Sequence, residues 1–191
     1  MPTIFSHAFF GTSIGSAFAP KELRARFLIL TALCTILPDF DVVSFKFGIN
    51  YASVLGHRGV THSIAFALLI GWLIGTFCFR STELARWKVV LYFSAATLSH
   101  PLLDMLTNGG LGVALFAPFS NERFFFPWRP VQVSPIGAGF FSERGVEVAL
   151  TELLWIWLPG VVIAAVLWAF LRRRNRMATS PSLSGSLEEE S

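Results

Sequence analysis

Residues 153–171 read LLWIWLPGVVIAAVLWAFL and contain no charged side chain. A helix needs about 20 such residues to cross the hydrocarbon core of a bilayer. In lipid, only helices and closed barrels satisfy their own backbone hydrogen bonds. Four stretches have the length and apolarity to span: roughly 22–38, 62–79, 87–107 and 148–171. A first stretch, 4–19, is shorter and rich in Ser, Gly and Thr. Small residues let helices approach closely in lipid, so it is read as a fifth, short span, with a re-entrant segment as the alternative. Composition agrees: charged residues make up 14% of the chain and mean hydropathy is +0.60, whereas soluble domains carry about a quarter charged residues. The expected fold is all-α, an integral membrane bundle of about five transmembrane helices.

The membrane-embedded domain is expected over 1–175. Within it, 108–147 breaks into Gly and Pro punctuation with Phe and Trp alternating with Arg. Aromatics beside arginines suit the headgroup zone, so the segment is read as an interfacial loop over one end of the bundle, with ordinary core packing as the alternative. The arginines after Leu171 are expected to stop the last helix, leaving 176–191 as a disordered tail. No cleavable leader is expected, because the first residues lack a basic start and place His7 where an apolar run should be. Cys34 and Cys78 fall in different apolar segments near opposite ends of the membrane, so no disulfide is expected. The net charge of +3 gives no nucleic-acid signal; membrane lipids are the expected surroundings, and the oligomeric state is left open.

If all five segments cross, the chain reverses at each connection. One side then collects His7, Asp39, Asp41, His57, His62, His100 and Asp104, which are all the histidines and all the aspartates in the chain. The other side collects ten Lys and Arg residues, from Lys21 to Arg176, against Lys46, Arg58, Arg123, Arg129 and Arg144 with the polar cluster. Basic residues mark the cytoplasmic face, which puts the cluster on the extracytoplasmic face and the C-terminus in the cytoplasm.

Ionisable groups at membrane depth are costly, so each needs a partner or a task. His100 and Asp104 are four apart on one helical face. They read as two metal ligands, as a ligand and its orienting carboxylate, or as a polar pair at a Pro101 kink. In GHRGVTHS (56–63), glycines allow a turn carrying His57, Thr61 is expected to cap the next helix, and His62 enters its first turn. A helix N-terminus and Arg58 together suit an anion such as phosphate, unless Arg58 pairs with Asp39 or Asp41. LPDFD (37–41) adds two carboxylates after a helix-ending proline. The candidate ligands are therefore His7, Asp39, His57, His62, His100 and Asp104, with Asp41 as ligand, orienting group or general base. Such a mixed N/O set suits Zn²⁺, as one or two ions, ahead of Mn²⁺ or Fe²⁺.

LPDFD, GHRGVTHS and LSHPLLDMLT, in this order and separated by apolar helices, resemble the LexA-regulated, membrane-bound metal-dependent hydrolases, the YdjM-like group. His7 and the aromatic loop PFSNERFFFPWRP extend the resemblance over about residues 4–135. It implies a helical protein of the bacterial inner membrane and metal-dependent hydrolysis. Joined to the residue-level reading, the expected activity is a metal-activated water acting on a phosphoester of a lipid or lipid-linked substrate, with Asp41 and Arg58 as catalytic groups. The alternative is a metal-binding membrane protein without catalysis, acting in transport, sensing or as a scaffold.

Overall fold

The structure, a computed structural model, describes residues 1–135 and 143–179. Among the described residues it is all-helical, with two isolated β-bridges and no strand. Helix α1 is Ile4–Phe18 and α2 is Arg24–Ile36, the latter followed without a gap by a 3₁₀ segment, Leu37–Phe47. Helix α3 is Ile64–Leu73 with a π turn at Ile74–Cys78, and α4 is Arg86–Met105. Helix α5, Glu143–Glu152, runs through a π turn at Leu153–Trp157 into α6, Leu158–Thr179.

Helix α4 packs against α3 and α2, while α1 lies against α2 and α6. Glycines set two of these approaches. A Cβ on Gly71 of α3 would strike Ser94 of α4, and one on Gly11 of α1 would strike Thr35 of α2. The Ser/Gly richness of the first segment is therefore a packing face, as expected of close helix pairs in lipid. Aromatic packing of Phe27, Phe79 and Phe93 fills the interior away from the polar end, with Cys34 buried among them and Cys78 alongside. Both thiols are free, but they lie in one apolar cluster rather than at opposite ends.

The helices are largely apolar outside, and the interior is polar at one end. Leu150, Leu154, Leu158, Val162 and Val166 stand exposed along one helix, as do Leu68 and Trp72 of α3 and Leu91 of α4. Meanwhile His7, His62, His100 and Asp104 are wholly buried. A continuous apolar exterior of that extent fits a lipid environment. Two helical segments are long and apolar enough to cross a membrane, Lys21–Phe47 and Glu143–Arg174, with mean hydropathies of 1.8 and 2.2. Ile64–Cys78 is apolar but shorter, α1 has 15 residues, and α4 carries Arg86, Lys88, His100 and Asp104. Among the described residues, two of the five expected spans are thus long and apolar enough on their own, and the apolar exterior suits a membrane bundle.

Two boundaries differ from expectation. The last helix does not stop at the arginine run; it continues to Thr179, because Arg and Met are good helix formers and cations favour a helix C-terminus. It also begins earlier, at Glu143, so that 143–147 of the segment read as loop is helical. Residues 136–142 of that loop and 180–191 of the expected tail lie outside the described residues.

Candidate metal centre

Helix α2 ends at Ile36, and Pro38 sits in the first turn of the tighter 3₁₀ continuation. At three residues per turn, Asp39 and Asp41 point about 120° apart. Each therefore meets a different side of one imidazole. Asp39 Oδ1 lies 3.7 Å from His62 Nε2, and Asp41 Oδ2 lies 3.1 Å from His62 Nδ1.

His62 arrives on a tightly coiled loop. A Cβ on Gly56 would meet the carbonyls of Asn50 and Tyr51, and one on Gly59 would meet that of Val54, so both positions require glycine. Between them Arg58 takes φ 61°, the left-handed region, at a cost of about 1–2 kcal/mol for a side-chain-bearing residue. That conformation lets its backbone N–H donate to Asp41 Oδ2 (3.1 Å) while its guanidinium turns inward. Arg58 is 1% exposed. Its Nε pairs with Asp104 Oδ2 at 2.8 Å, and its other nitrogens donate to Gly109 O and Thr107 Oγ1. Of the partners considered for this guanidinium, Asp104 holds it in place of Asp39 or Asp41.

The helix that follows is capped by Ser63 rather than Thr61. Ser63 Oγ accepts from Phe66 N, and Ile64 N donates to Leu115 O, so the expected anion position at this N-terminus is filled by the protein itself. Thr61 Oγ1 donates to Asp41 Oδ2 at 2.7 Å instead.

Helix α4 supplies His100 and Asp104, one turn apart and both fully buried. His100 Nδ1 donates to Thr35 O at 2.7 Å, which fixes the tautomer and leaves the Nε2 lone pair facing His62 Nε2 at 3.1 Å. His7 of α1 stacks on His100 with centroids 3.7 Å apart, and its Nε2 is 3.5 Å from Asp104 Oδ1. Thus all seven residues singled out in sequence, with Arg58, converge at one end of the bundle.

They form two layers around His62. Asp39, His62, His100 and Asp104 each offer one ligand atom, all within 4.8 Å of one another. Asp41, His57 and His62 form a second trio of the same span. Hydrogen bonding separates the two. Asp41 is saturated by His57 Nδ1 (2.6 Å), His62 Nδ1, Thr61 and the Arg58 N–H. By contrast, both oxygens of Asp39, Oδ1 of Asp104 and both nitrogens of His7 have no aligned hydrogen-bond partner, while Asp104 Oδ2 is held by the Arg58 guanidinium. An unsatisfied buried polar atom costs about 1–3 kcal/mol, so the inner layer is built for something other than protein donors.

A divalent cation fits by distance and by charge. Four donors at metal bonds of about 2.0–2.1 Å around a tetrahedral centre are separated by about 3.3–3.4 Å. The separations His62–His100, His100–Asp39, His62–Asp104 and His62–Asp39 are 3.1, 3.3, 3.5 and 3.7 Å. Three carboxylates against the Arg58 guanidinium leave a formal charge of −2 when the imidazoles are neutral, which a divalent ion balances.

Residues 1–177 match the YdjM inner membrane protein family. The chain belongs to that family. It is also 41% identical to the inner membrane protein YbcI of Escherichia coli (strain K12) over 172 residues, covering 88% of this chain and 98% of that relative. No solved structure matches it. The family read from the three motifs is therefore established, and with it the inner-membrane character of its members.

Two residues that position the centre were not singled out in sequence. Glu152 is buried at the start of the last apolar run and receives the Thr3 N–H, the Thr3 hydroxyl and the Ser6 hydroxyl. It anchors the N-terminus of α1 one residue from His7. Arg123, in the aromatic loop, donates to the carbonyls of Tyr51, Ser53 and His57 and lies over the Tyr51 ring, tying the loop to the GHRG turn. Burial raises the Tyr51 phenol above its usual range, so it stays neutral beside His57. The signal for Glu152 was a lone carboxylate bordering an uncharged run; Arg123 left none.

Proposed function

We propose that this family member is a metal-dependent hydrolase of the inner membrane, acting on a phosphoester of a lipid or lipid-linked substrate. The observation that carries the reading is the inner quartet, Asp39, His62, His100 and Asp104, whose carboxylates keep oxygens without an aligned protein donor and whose spacing suits one ion. Two imidazoles and two carboxylates favour Zn²⁺. When bound, such an ion lowers the pKa of a coordinated water towards 7 and polarises the scissile group.

The chain's own residues then have separate tasks. Asp41 holds the Nδ1–H of His62, and the Thr35 carbonyl does the same for His100, so that both Nε2 atoms face inward; such orienting partners are typical of metal-bound histidines. Arg58 fixes Asp104. His57, paired with Asp41 at 2.6 Å, stands beside the quartet as an imidazole–carboxylate couple suited to proton transfer. His7 contributes a further donor next to Asp104. Because Asp41 is already saturated, one ion is the favoured stoichiometry.

A second reading is supported by burial. The quartet is at most 6% exposed, and the 870 Å³ cavity nearest α1 and α5 is lined by Thr3, Glu152 and Trp157 rather than by the donors. A metal-binding protein without turnover fits that enclosure, whereas a hydrolase requires a path for substrate to the donors. Metal analysis of the purified protein beside His62→Ala and His100→Ala, with phosphoester turnover measured on the same samples, separates these outcomes. Stoichiometric metal lost in both variants, with metal-dependent turnover, supports the hydrolase. Bound metal without turnover on phospholipids or other phosphoesters supports the second reading, and negligible metal in all three samples defeats both.

A further inference from the structure

A second feature lies on the outer surface of the bundle, away from the donors. Helices α4 and α6 both pack on α1, which forms the floor of a groove of about 620 Å³ between them. That size is typical of small-ligand sites. Its floor includes Phe10, Gly11 and Ile14, and its α4 wall carries Leu91 and Ala95. Two cations also line it, Lys88 of α4 and Arg174 of α6.

Both cations are exposed, and among the described residues neither is paired with a carboxylate. Lys88 sits beside Trp87, with its Nζ 5.6 Å from the indole centroid. An indole and a lysine together mark the level of the headgroups. The apolar trough therefore begins at headgroup depth and runs inward along α1.

We infer that this groove binds an anionic phospholipid from the bilayer, with its phosphate between Lys88 and Arg174 and one acyl chain along α1. Charge complementarity selects the occupant: an apolar channel alone takes any chain, and the two cations that line it select a negative headgroup. The lipid would complete the packing between α4 and α6, which α1 alone does not fill.

The test is retention of lipid by the purified full chain, with phosphatidylglycerol and phosphatidylethanolamine of matched acyl chains exchanged in and bound lipid counted by native mass spectrometry. Each basic group near an anionic surface contributes about fivefold, so the wild type should prefer phosphatidylglycerol by roughly 25-fold. Lys88→Gln and Arg174→Gln should each lower that preference by about fivefold. Ala95→Phe, which fills the trough and leaves the charges in place, should abolish retention of either lipid. Arg80→Gln removes an exposed cation outside the groove and should change nothing. The melting temperature in one fixed detergent, measured on every sample, reports whether the fold survives. Equal retention of the two lipids, equal effects of Arg80→Gln and Lys88→Gln, or unchanged retention in Ala95→Phe would each overturn the inference.

Discussion

Asp39→Asn and Asp41→Asn exchange a carboxylate for an amide of equal size, two residues apart, yet their expected effects run in opposite directions. Asp39 has no aligned donor on either oxygen, so the metal-free protein holds a buried charge without hydrogen bonds. Removing that charge should change the metal-free fold little, because the carboxylate faces the His100 and His62 imidazoles at 3.3 and 3.7 Å without an aligned hydrogen bond to lose. Binding should nevertheless fall by more than about 100-fold, beyond the 10- to 100-fold typical of losing an orienting group. Asp41 accepts from His57, His62, Thr61 and the Arg58 N–H. An asparagine keeps one acceptor oxygen and turns an NH₂ towards donors. Losing two hydrogen bonds to a charged group, at about 1.5–3 kcal/mol each, costs the metal-free protein about 3 kcal/mol or more. Metal affinity in this variant should drop only about 10- to 100-fold, because the four inner donors remain. Melting temperatures of chelator-treated protein in one fixed detergent, with competitive metal titration, measure both quantities. If Asp39→Asn destabilises the metal-free protein more than Asp41→Asn does, or if Asp41→Asn abolishes binding and Asp39→Asn spares it, the assignment of inner and outer carboxylates is wrong.

Arg58→Lys keeps the charge but loses the planar fork that reaches Asp104, Thr107 and Gly109 together. Thermal unfolding should show about 2–4 kcal/mol of destabilisation, close to the loss of a buried pair, and a wild-type melting temperature would refute the role. Glu152→Ala leaves Thr3 and Ser6 without their acceptor. A loss of about 1–3 kcal/mol should follow, together with faster hydrogen exchange in the first turn of α1; unchanged exchange there would count against the anchor. Gly71→Val forces side chain into the α3–α4 contact at Ser94 and should destabilise by about 1–3 kcal/mol in the same melting assay. Because the donors must be deprotonated to bind a cation, metal release should increase as pH falls through the histidine range; pH-independent occupancy between pH 7 and 5 would exclude imidazole ligation.

The sequence carried the site further than it carried the bundle. His100 and Asp104 were legible from their spacing on one face, and the convergence of His7, Asp39 and His62 from the alternation of apolar runs. What spacing does not encode is hydrogen-bond saturation. Asp39 and Asp41 look alike in LPDFD, and only the 3₁₀ turn after Pro38 separates a candidate ligand from the group that orients His62. Thr61 reads as the helix cap; the carboxylate of Asp41 takes its hydroxyl instead, and Ser63 caps the helix. Arg123 read as a headgroup arginine because its partners are backbone carbonyls seventy residues upstream, which leave no trace in local pattern. Two of the five expected spans stand out by length and apolarity alone; α4 is long enough, but its buried polar groups lower the apolarity by which a lipid-crossing helix is recognised.

X-ray absorption at the edge of whatever metal copurifies with the chain tests the central claim most directly. The account predicts a first shell of nitrogen and oxygen at about 2.0–2.1 Å with two-imidazole scattering, reduced in His100→Ala. No bound metal, or a sulfur shell near about 2.3 Å implicating Cys34 or Cys78, would contradict it.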